Sequence, residues 1–442
     1  APQLIWYQST VSLGNLEGLT GTVRGLVRVV DPEVTLPAGA RPRFGLDPLL
    51  GTPLPSLRHQ PVTYQAIHFA LAPPAPAWDE VPYPFDLTSI PVAAMKVLPG
   101  ATPADERILV ARVGNNNRLI PSVTGKRIPI DADDWVMCIL GGPYSGTPSI
   151  TIVHGVPVIA VVPKDLADPV HLFIGERAQP LTPTDWTAFD VQPAGFDTTG
   201  VLTIIGHTGN DQLALMTVTD PGLPGAKEVL SIVAPNGLPV SSADLTATRV
   251  ALPPTFTGDI TFASTELDTL QTGLAAVLHC ETGAPDGESR LFLTSRSVPL
   301  KPSDWRYTAP INAAEIEPDG NNLWMLTNTS DQPPTLLDLR DYGFPNGVIR
   351  PAEAPSVAGG CLRLLLGRPA VLTAGVTDIE LYRASTSNPL HPWDWNIGAI
   401  GPLTSVTPGY TSQTLVHFQG HLVALVQDST TRPRIFATPD SW

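Results

Sequence analysis

The feature that most constrains this chain is a repeat in which tryptophan recurs at fixed offsets from proline and aspartate. Three segments align without gaps, and each reads aromatic residue, six residues, Pro-Leu-x-Pro-x-Asp-Trp. Several elements at constant offsets, found three times, indicate repeated structural units. The segments are Phe173–Trp186, Phe292–Trp305 and Tyr382–Trp395, and their closing pairs are Asp185 with Trp186, Asp304 with Trp305, and Asp394 with Trp395.

Weaker copies extend the repeat towards both ends of the chain. One copy ends at Trp135, another at Trp442, and a first copy at Trp78. Trp78 and Trp442 are 364 residues apart, which corresponds to seven units of about 52 residues. With two degenerate units included, the predicted unit ends lie near residues 78, 135, 186, 245, 305, 350, 395 and 442.

The interior of each unit has the pattern of a β-hairpin. Apolar runs flank a glycine in Ser149–Val162, Leu362–Leu372 and Thr414–Val426, and glycine supplies the positive φ that a short hairpin turn needs. A third apolar run follows before each Asp-Trp pair, and a fourth begins at the tryptophan. The sequence therefore predicts four short antiparallel strands in each unit.

Units of about 50 residues with four strands are typical of β-propeller blades. The predicted fold class is all-β: a propeller of seven blades over residues 61–442, with eight blades as the alternative. Residues 1–60 are predicted to form an irregular, Pro-rich arm or a first irregular blade, in which Leu4–Thr10 resembles a strand that closes the ring. We expect each tryptophan to cover the joint between two blades and each preceding aspartate to cap a turn.

Composition agrees with this fold and excludes several partners. Of 442 residues 43% are hydrophobic, and 49 prolines disfavour long helices. The net charge is −15 and no basic stripe exists, so nucleic acid is not an expected partner. No apolar run is long enough to cross a bilayer, so membrane insertion is not expected. Cys138, Cys280 and Cys361 are too far apart for a disulfide framework or zinc site and are predicted to be buried.

At blade level the sequence resembles the sialidase-like and glycosidase-like β-propellers. The resemblance rests on Leu381–Ser387 followed by Asp394 and Trp395, and on the other Asp-Trp pairs. The Asp-box of those proteins reads Ser-x-Asp-x-Gly-x-x-Trp, whereas no copy here has glycine between aspartate and tryptophan. The resemblance therefore implies the fold and does not imply an activity.

The chain contains no recognised catalytic motif, and we predict no catalytic, metal-binding or cofactor-binding residues. A propeller glycosidase would need carboxylates that converge on the axis, but the spacing does not select among Asp197, Asp211, Glu281 and Asp338. Three arginines at similar blade positions are weak candidates for a ligand site, with solvation of a strand edge as the alternative. They are Arg177, Arg296 and Arg383.

These observations favour a non-enzymatic recognition or structural propeller. The specific hypothesis is a virion or tail component of a phage-like particle that contacts structural proteins of the assembly or a host glycan. Two alternatives stay open: a glycoside hydrolase or lyase, and a secreted or surface lectin-like propeller. The expected location is virion or extracellular, and no cofactor is expected.

Overall fold

The computed structural model describes a ring of antiparallel sheets. The chain divides after Pro74, and the described residues belong to the second compact unit, Ala75–Trp442. They run from 78 to 438, apart from several single positions and the segments 84–91, 220–227, 271–272, 282–286, 320–321, 328–334, 339–348, 352–359, 375–377, 390–393, 403–409 and 429–433.

The first strand, β1 (Asp79–Val81), stands apart in sequence from the sheet it joins. The next three sheets each use four consecutive strands in chain order. Sheet 1 has β2 (Val92–Leu98), β3 (Arg107–Val113), β4 (Leu119–Thr124) and β5 (Val136–Met137); sheet 2 has β6 (Tyr144–Val153), β7 (Val156–Pro163), β8 (His171–Gly175) and β9 (Trp186–Asp190); sheet 3 has β10 (Gly200–His207), β11 (Leu213–Thr219), β12 (Glu228–Val233) and β13 (Thr246–Arg249).

Sheets 4 to 6 continue the same order, and sheet 4 has a split first strand. Sheet 4 has β14 (Asp259–Phe262), β15 (Asp268–Thr269), β16 (Leu274–Glu281), β17 (Glu288–Thr294) and β18 (Trp305–Tyr307); sheet 5 has β19 (Ala313–Asp319), β20 (Asn322–Thr327), β21 (Thr335–Asp338) and β22 (Ile349–Pro351); sheet 6 has β23 (Cys361–Leu365), β24 (Arg368–Ala374), β25 (Asp378–Ala384) and β26 (Trp395–Pro402).

Sheet 7 closes the ring with strands from both ends of the described chain. It has β27 (Tyr410–Phe418), β28 (His421–Asp428) and β29 (Arg434–Ala437), and β1 pairs with β29 as its fourth strand. The fourth strand of sheet 7 is therefore Asp79–Val81, which follows Trp78. Leu4–Thr10, the segment predicted to close the ring, lies outside the described residues. The first copy of the repeat also lies outside the described residues, except for Trp78 itself. The last residue, Trp442, lies outside them too.

The seven four-stranded sheets confirm the predicted β-propeller with seven blades. The first strand of each sheet contacts the first strands of its neighbours: β2 contacts both β6 and β27, β10 contacts β6 and β15, and β23 contacts β19 and β27. These first strands thus surround the propeller axis, and the fourth strands lie at the rim.

Local sequence explains the hairpins between first and second strands. In sheets 2, 6 and 7 the two turn residues both have positive φ: His154 and Gly155, Leu366 and Gly367, Gln419 and Gly420. Two positive φ values are the geometry of the type I′ turn, whose twist matches that of the flanking strands. Glycine at the second position removes the steric cost there.

The core is divided into seven apolar clusters, each lying between two neighbouring sheets among the described residues. Trp135 packs with sheets 7 and 1, Trp186 with sheets 1 and 2, and Trp305 with sheets 3 and 4. Trp395 packs with sheets 5 and 6, and Trp78 lies against the cluster of sheets 6 and 7. Each of these side chains thus packs between the sheet of its own outer strand and the preceding sheet.

The aspartates before Trp186 and Trp305 hold short 3-10 turns. One Oδ atom of Asp185 accepts the backbone N–H groups of Leu181 and Thr182, both at 2.8 Å. Asp304 accepts those of Leu300 at 2.9 Å and Lys301 at 3.0 Å in the same way. The turns Pro183–Asp185 and Pro302–Asp304 deliver the chain directly into β9 and β18.

Candidate axial site

The sequence-predicted arginines do not lie among the first strands of the sheets. Arg177 is an exposed residue that contacts Asp185 in its own blade, and the exposed Arg296 places Nε 3.4 Å from Asp304 Oδ1. Arg383 is buried in β25, the third strand of sheet 6. The three side chains therefore occupy three different sheets, and two of them support Asp-Trp turns.

A different set of charged residues lies at the axis, on the first strands of four sheets. Lys96 is on β2, Glu315 and Glu317 are on β19, Arg363 is on β23, and Glu266 precedes Asp268 of β15. We call these six residues the axial cluster. Successive side chains of a strand point to opposite faces, so Glu315 and Glu317 share one face while Ile316 between them is fully buried on the other.

Arg363 is the centre of the axial cluster. Its Nη2 donates to Glu266 Oε1 at 2.9 Å, and its Nη1 donates to Glu315 Oε1 at 2.9 Å. Glu317 Oε2 lies 3.7 Å from Nη1, and the other oxygen of Glu317 accepts the Leu364 N–H at 3.1 Å. One guanidinium therefore ties together sheets 4, 5 and 6.

Lys96, on sheet 1, completes the network, because its ammonium group contacts Glu266 of sheet 4. Sheet 1 is three positions from sheet 4 in a ring of seven, so this ion pair reaches across the axis. Lys96 and Glu266 are 170 positions apart in sequence, and only the closed ring brings them together. The axial cluster thus spans the space between the first strands that surround the propeller axis, which we call the central channel.

The carboxyl groups of the axial cluster differ in their affinity for protons. Burial would raise the pKa of Glu266, but the charges of Lys96 and Arg363 outweigh it and lower this pKa to about 2. Burial raises the pKa of Glu315 to about 7, with Arg363 opposing. Burial also raises the pKa of Glu317. The cluster therefore contains an ionised glutamate beside groups that favour the protonated form.

Asp268 is the most unusual member of the axial cluster. Its side chain is buried, and no hydrogen bond reaches its Oδ2 atom among the described residues. Burial, followed by the negative charges of Glu266, Glu317 and Glu315, raises its pKa well above the ordinary value. Asp268 therefore favours the protonated form, in which its carboxyl group can act as a hydrogen-bond donor.

A cavity of about 300 Å³ adjoins the axial cluster. Its wall combines apolar and polar groups from several first strands. The residues that matter here are the charged Lys96, Glu266 and Arg363, the hydroxyl-bearing Ser149, Thr203 and Ser264, and the apolar Met95, Leu202 and Phe262. Mostly apolar walls with a few oriented polar groups are typical of small-molecule sites.

Two serine hydroxyls of the cavity are fixed by the backbone. Ser149 Oγ accepts the Ile205 N–H at 3.1 Å, and Ser264 Oγ accepts the Val277 N–H at 3.3 Å. Because each oxygen acts as an acceptor in these bonds, its own hydrogen can be donated to a ligand. The cavity therefore offers hydroxyl donors, the carboxylate of Glu266 and the cationic groups of Lys96 and Arg363 beside apolar side chains.

The axial acids were not among the candidates from the sequence. Asp197 caps the backbone of Thr199, Asp211 accepts the His154 N–H, and Glu281 is exposed at the end of β16. Asp338 is on β21, the third strand of sheet 5. The sequence pattern that could have identified the axial acids is two acids separated by one aliphatic residue. It occurs at Glu266 and Asp268 and again at Glu315 and Glu317.

Other chemistry is not evident in the described part of the chain. Among the described residues no group of three or more His, Cys, Asp or Glu side chains has the arrangement of a metal site. The same residues include no helix with the length and apolarity of a transmembrane span. Cys138, Cys280 and Cys361 are all buried free thiols.

Comparison with known proteins gives matches of fold only. No protein-family model and no curated protein matches the sequence. A solved polysaccharide lyase has a TM-score of 0.47 at 8% identity, covering 78% of this chain and 88% of that one. A neuraminidase-like protein of a little yellow-shouldered bat isolate from Guatemala gives 0.42 at 6%, covering 66% and 93%. An α-L-arabinofuranosidase from Fusarium graminearum gives 0.40 at 10%, covering 66% and 92%.

Proposed function

We propose that this chain is a non-enzymatic recognition propeller that binds a neutral saccharide unit in the axial cavity. The observation that carries this proposal is the composition of the cavity wall: serine and threonine hydroxyls beside apolar side chains, with Glu266 as an acceptor. A sugar ring presents the same combination, with hydroxyl groups at its edge and C–H groups on its faces. A volume of about 300 Å³ matches the lower end of small-ligand sites.

The ion pairs support binding without turnover. Glu315 and Glu317 face Arg363, and Glu266 contacts both Arg363 and Lys96. These acids hold four sheets together, so a change in their charge during a reaction would disturb the ring. A binding role makes no such demand on them.

The binding proposal is tested with a panel of neutral mono- and disaccharides and saturation-transfer NMR on the native chain. We expect at least one saccharide to bind, and we expect Ser149→Ala to weaken it about tenfold through the loss of one hydrogen bond. Ser303→Ala, at an exposed turn far from the cavity wall, is the matched control and should bind as the native chain does. Absence of binding across the panel would exclude the proposal.

We further propose that the propeller acts within a large assembly, such as the virion or tail of a phage-like particle. A low fraction of charged residues (15%), a Pro-rich N-terminal segment and the absence of a catalytic motif support this setting. Light scattering on native source material tests it. A megadalton particle is the expected result, and a free monomer would contradict it and favour the lectin-like alternative.

A second candidate function, glycoside hydrolysis, is favoured by Asp268. Glycosidases pair a protonated carboxyl group with an ionised one, and here the pKa of Asp268 is raised while that of Glu266 is lowered. Release of reducing ends from a glycan panel would support this function, provided that Asp268→Asn abolishes the release. If neither the native chain nor the variant releases reducing ends, glycoside hydrolysis is excluded and the binding proposal is the one that remains.

A further inference from the structure

The axial cluster contains more acids than bases. Four carboxyl groups, Glu266, Asp268, Glu315 and Glu317, share the charges of Arg363 and Lys96. If all four were ionised, the buried cluster would have an excess of two negative charges. A buried site avoids such an excess by retaining protons.

The titratable groups that face the cluster come from five of the seven first strands. Lys96 faces Glu266 from β2, and His207 lies near Glu266 from β10. Glu315 and Glu317 face Arg363 from β19, with Cys361 next to Arg363 on β23. Asp268, on β15, lies near Glu266, Glu315 and Glu317. Of these groups, Lys96 and Arg363 provide fixed positive charge, and the acids respond to pH.

The ion-pair network and the cavity wall share three side chains. Lys96, Glu266 and Arg363 both line the cavity and hold sheets 1, 4 and 6 together across the axis. Glu315 adds sheet 5 through the same guanidinium. Charge on the cluster and access to the cavity are therefore linked through the same side chains.

We propose that the axial cluster is a proton-dependent lock on the central channel. With Asp268 and Glu315 protonated, Arg363 and Lys96 hold the first strands together around the cavity. Loss of these protons adds unbalanced negative charge around Arg363, so β15, β19 and β23 move apart. The cavity, whose wall already reaches the surface at Gly146 and Thr147, then widens. The lock regulates the site of the proposed function and rests on that function only for the identity of the ligand.

Cys361 packs in the apolar cluster between sheets 6 and 7, so exposure of its thiol reports movement of β23, the strand that carries Arg363. It is a buried free thiol on β23, two positions from Arg363, whereas Cys138 follows the outer strand of sheet 1. Labelling both thiols with a small reagent and measuring the two peptides by mass spectrometry gives a ratio of rates. The ratio cancels the effect of pH on thiol reactivity, because both thiols react as thiolates once exposed.

We expect the Cys361 to Cys138 ratio to rise about tenfold per pH unit for each proton released on opening, between about pH 5 and 7. Glu315→Gln and Asp268→Asn each remove one titrating group, so each should flatten this dependence. Glu228→Gln is the matched control, because Glu228 pairs with Arg249 at 2.9 Å away from the axis. This control should keep the native slope.

A ratio that does not change with pH in the native chain would overturn the proposal, as would an unchanged slope in a folded Glu315→Gln or Asp268→Asn variant. Either variant is sufficient if the other fails to fold. A changed slope in Glu228→Gln would also contradict the lock, since it would attribute the effect to general surface charge. No saccharide is present in this experiment, so its failure leaves the binding proposal standing, and the reverse also holds.

Discussion

At the residue scale, a single carboxylate holds the turn before Trp186 and another holds the turn before Trp305. Asp304 accepts two backbone N–H groups that would otherwise have no partner in a turn of three residues. We expect Asp304→Ala to lower the free energy of unfolding by about 1 kcal/mol, as for the loss of a helix N-cap. Chemical denaturation measures this loss, with Ser303→Ala in the same exposed turn as control. Equal stability of the two variants would show that the carboxylate contributes nothing.

At the element scale, the three residues of β1 complete sheet 7. Val81 of β1 is buried in the cluster between sheets 7 and 1, and Glu80 pairs with Arg434 at 2.9 Å on the exposed side. We expect Val81→Ala to cost about 2 kcal/mol through the cavity it leaves, and Glu80→Gln about 0.5 kcal/mol because exposed ion pairs contribute little. Urea denaturation distinguishes the two. A larger effect from Glu80→Gln would mean that charge, rather than packing, closes the ring.

At the scale of the whole molecule, the axial cluster sets how stability depends on pH. Asp268, Glu315 and Glu317 bind protons more tightly when folded, so their contribution is fully present below the ordinary pKa and is lost as pH rises. For Glu315 the loss extends through about pH 7 and amounts to about 3 kcal/mol. Glu266 has a lowered pKa, so its contribution is present above the ordinary value and is lost as pH falls through about 2.

The expected result is a melting temperature that is highest near about pH 5 and declines towards pH 8. Self-repulsion from the net charge of −15 acts in the same direction but is screened by salt, whereas the buried groups are screened much less. Calorimetry at low and high salt separates the two effects. The decline should persist at high salt and shrink in Glu315→Gln; a melting temperature that rises from pH 5 to pH 8 would contradict this account.

The sequence by itself determined the repeated units and the fold class, whereas the choice between seven and eight blades came from the structure. Gly155, Gly367 and Gly420 mark hairpin turns, and Trp186, Trp305 and Trp395 mark the outer strands, because turn geometry and strand periodicity depend on residues close in sequence. A unit with two apolar faces must pack against neighbours on both sides, so seven such units predict a ring. Local pattern was therefore sufficient for the fold class.

Only the tertiary structure decided how the ring closes and which acids reach the axis. The fourth strand of sheet 7 comes from Asp79–Val81, and no local signal shows that these three residues pair with Arg434–Ala437. Lys96 and Glu266 meet across 170 positions of sequence. Each residue of the axial cluster is an ordinary charged residue in its own strand. Closure of the ring alone places four carboxyl groups and two cations in one desolvated volume, and that burial changes their affinity for protons.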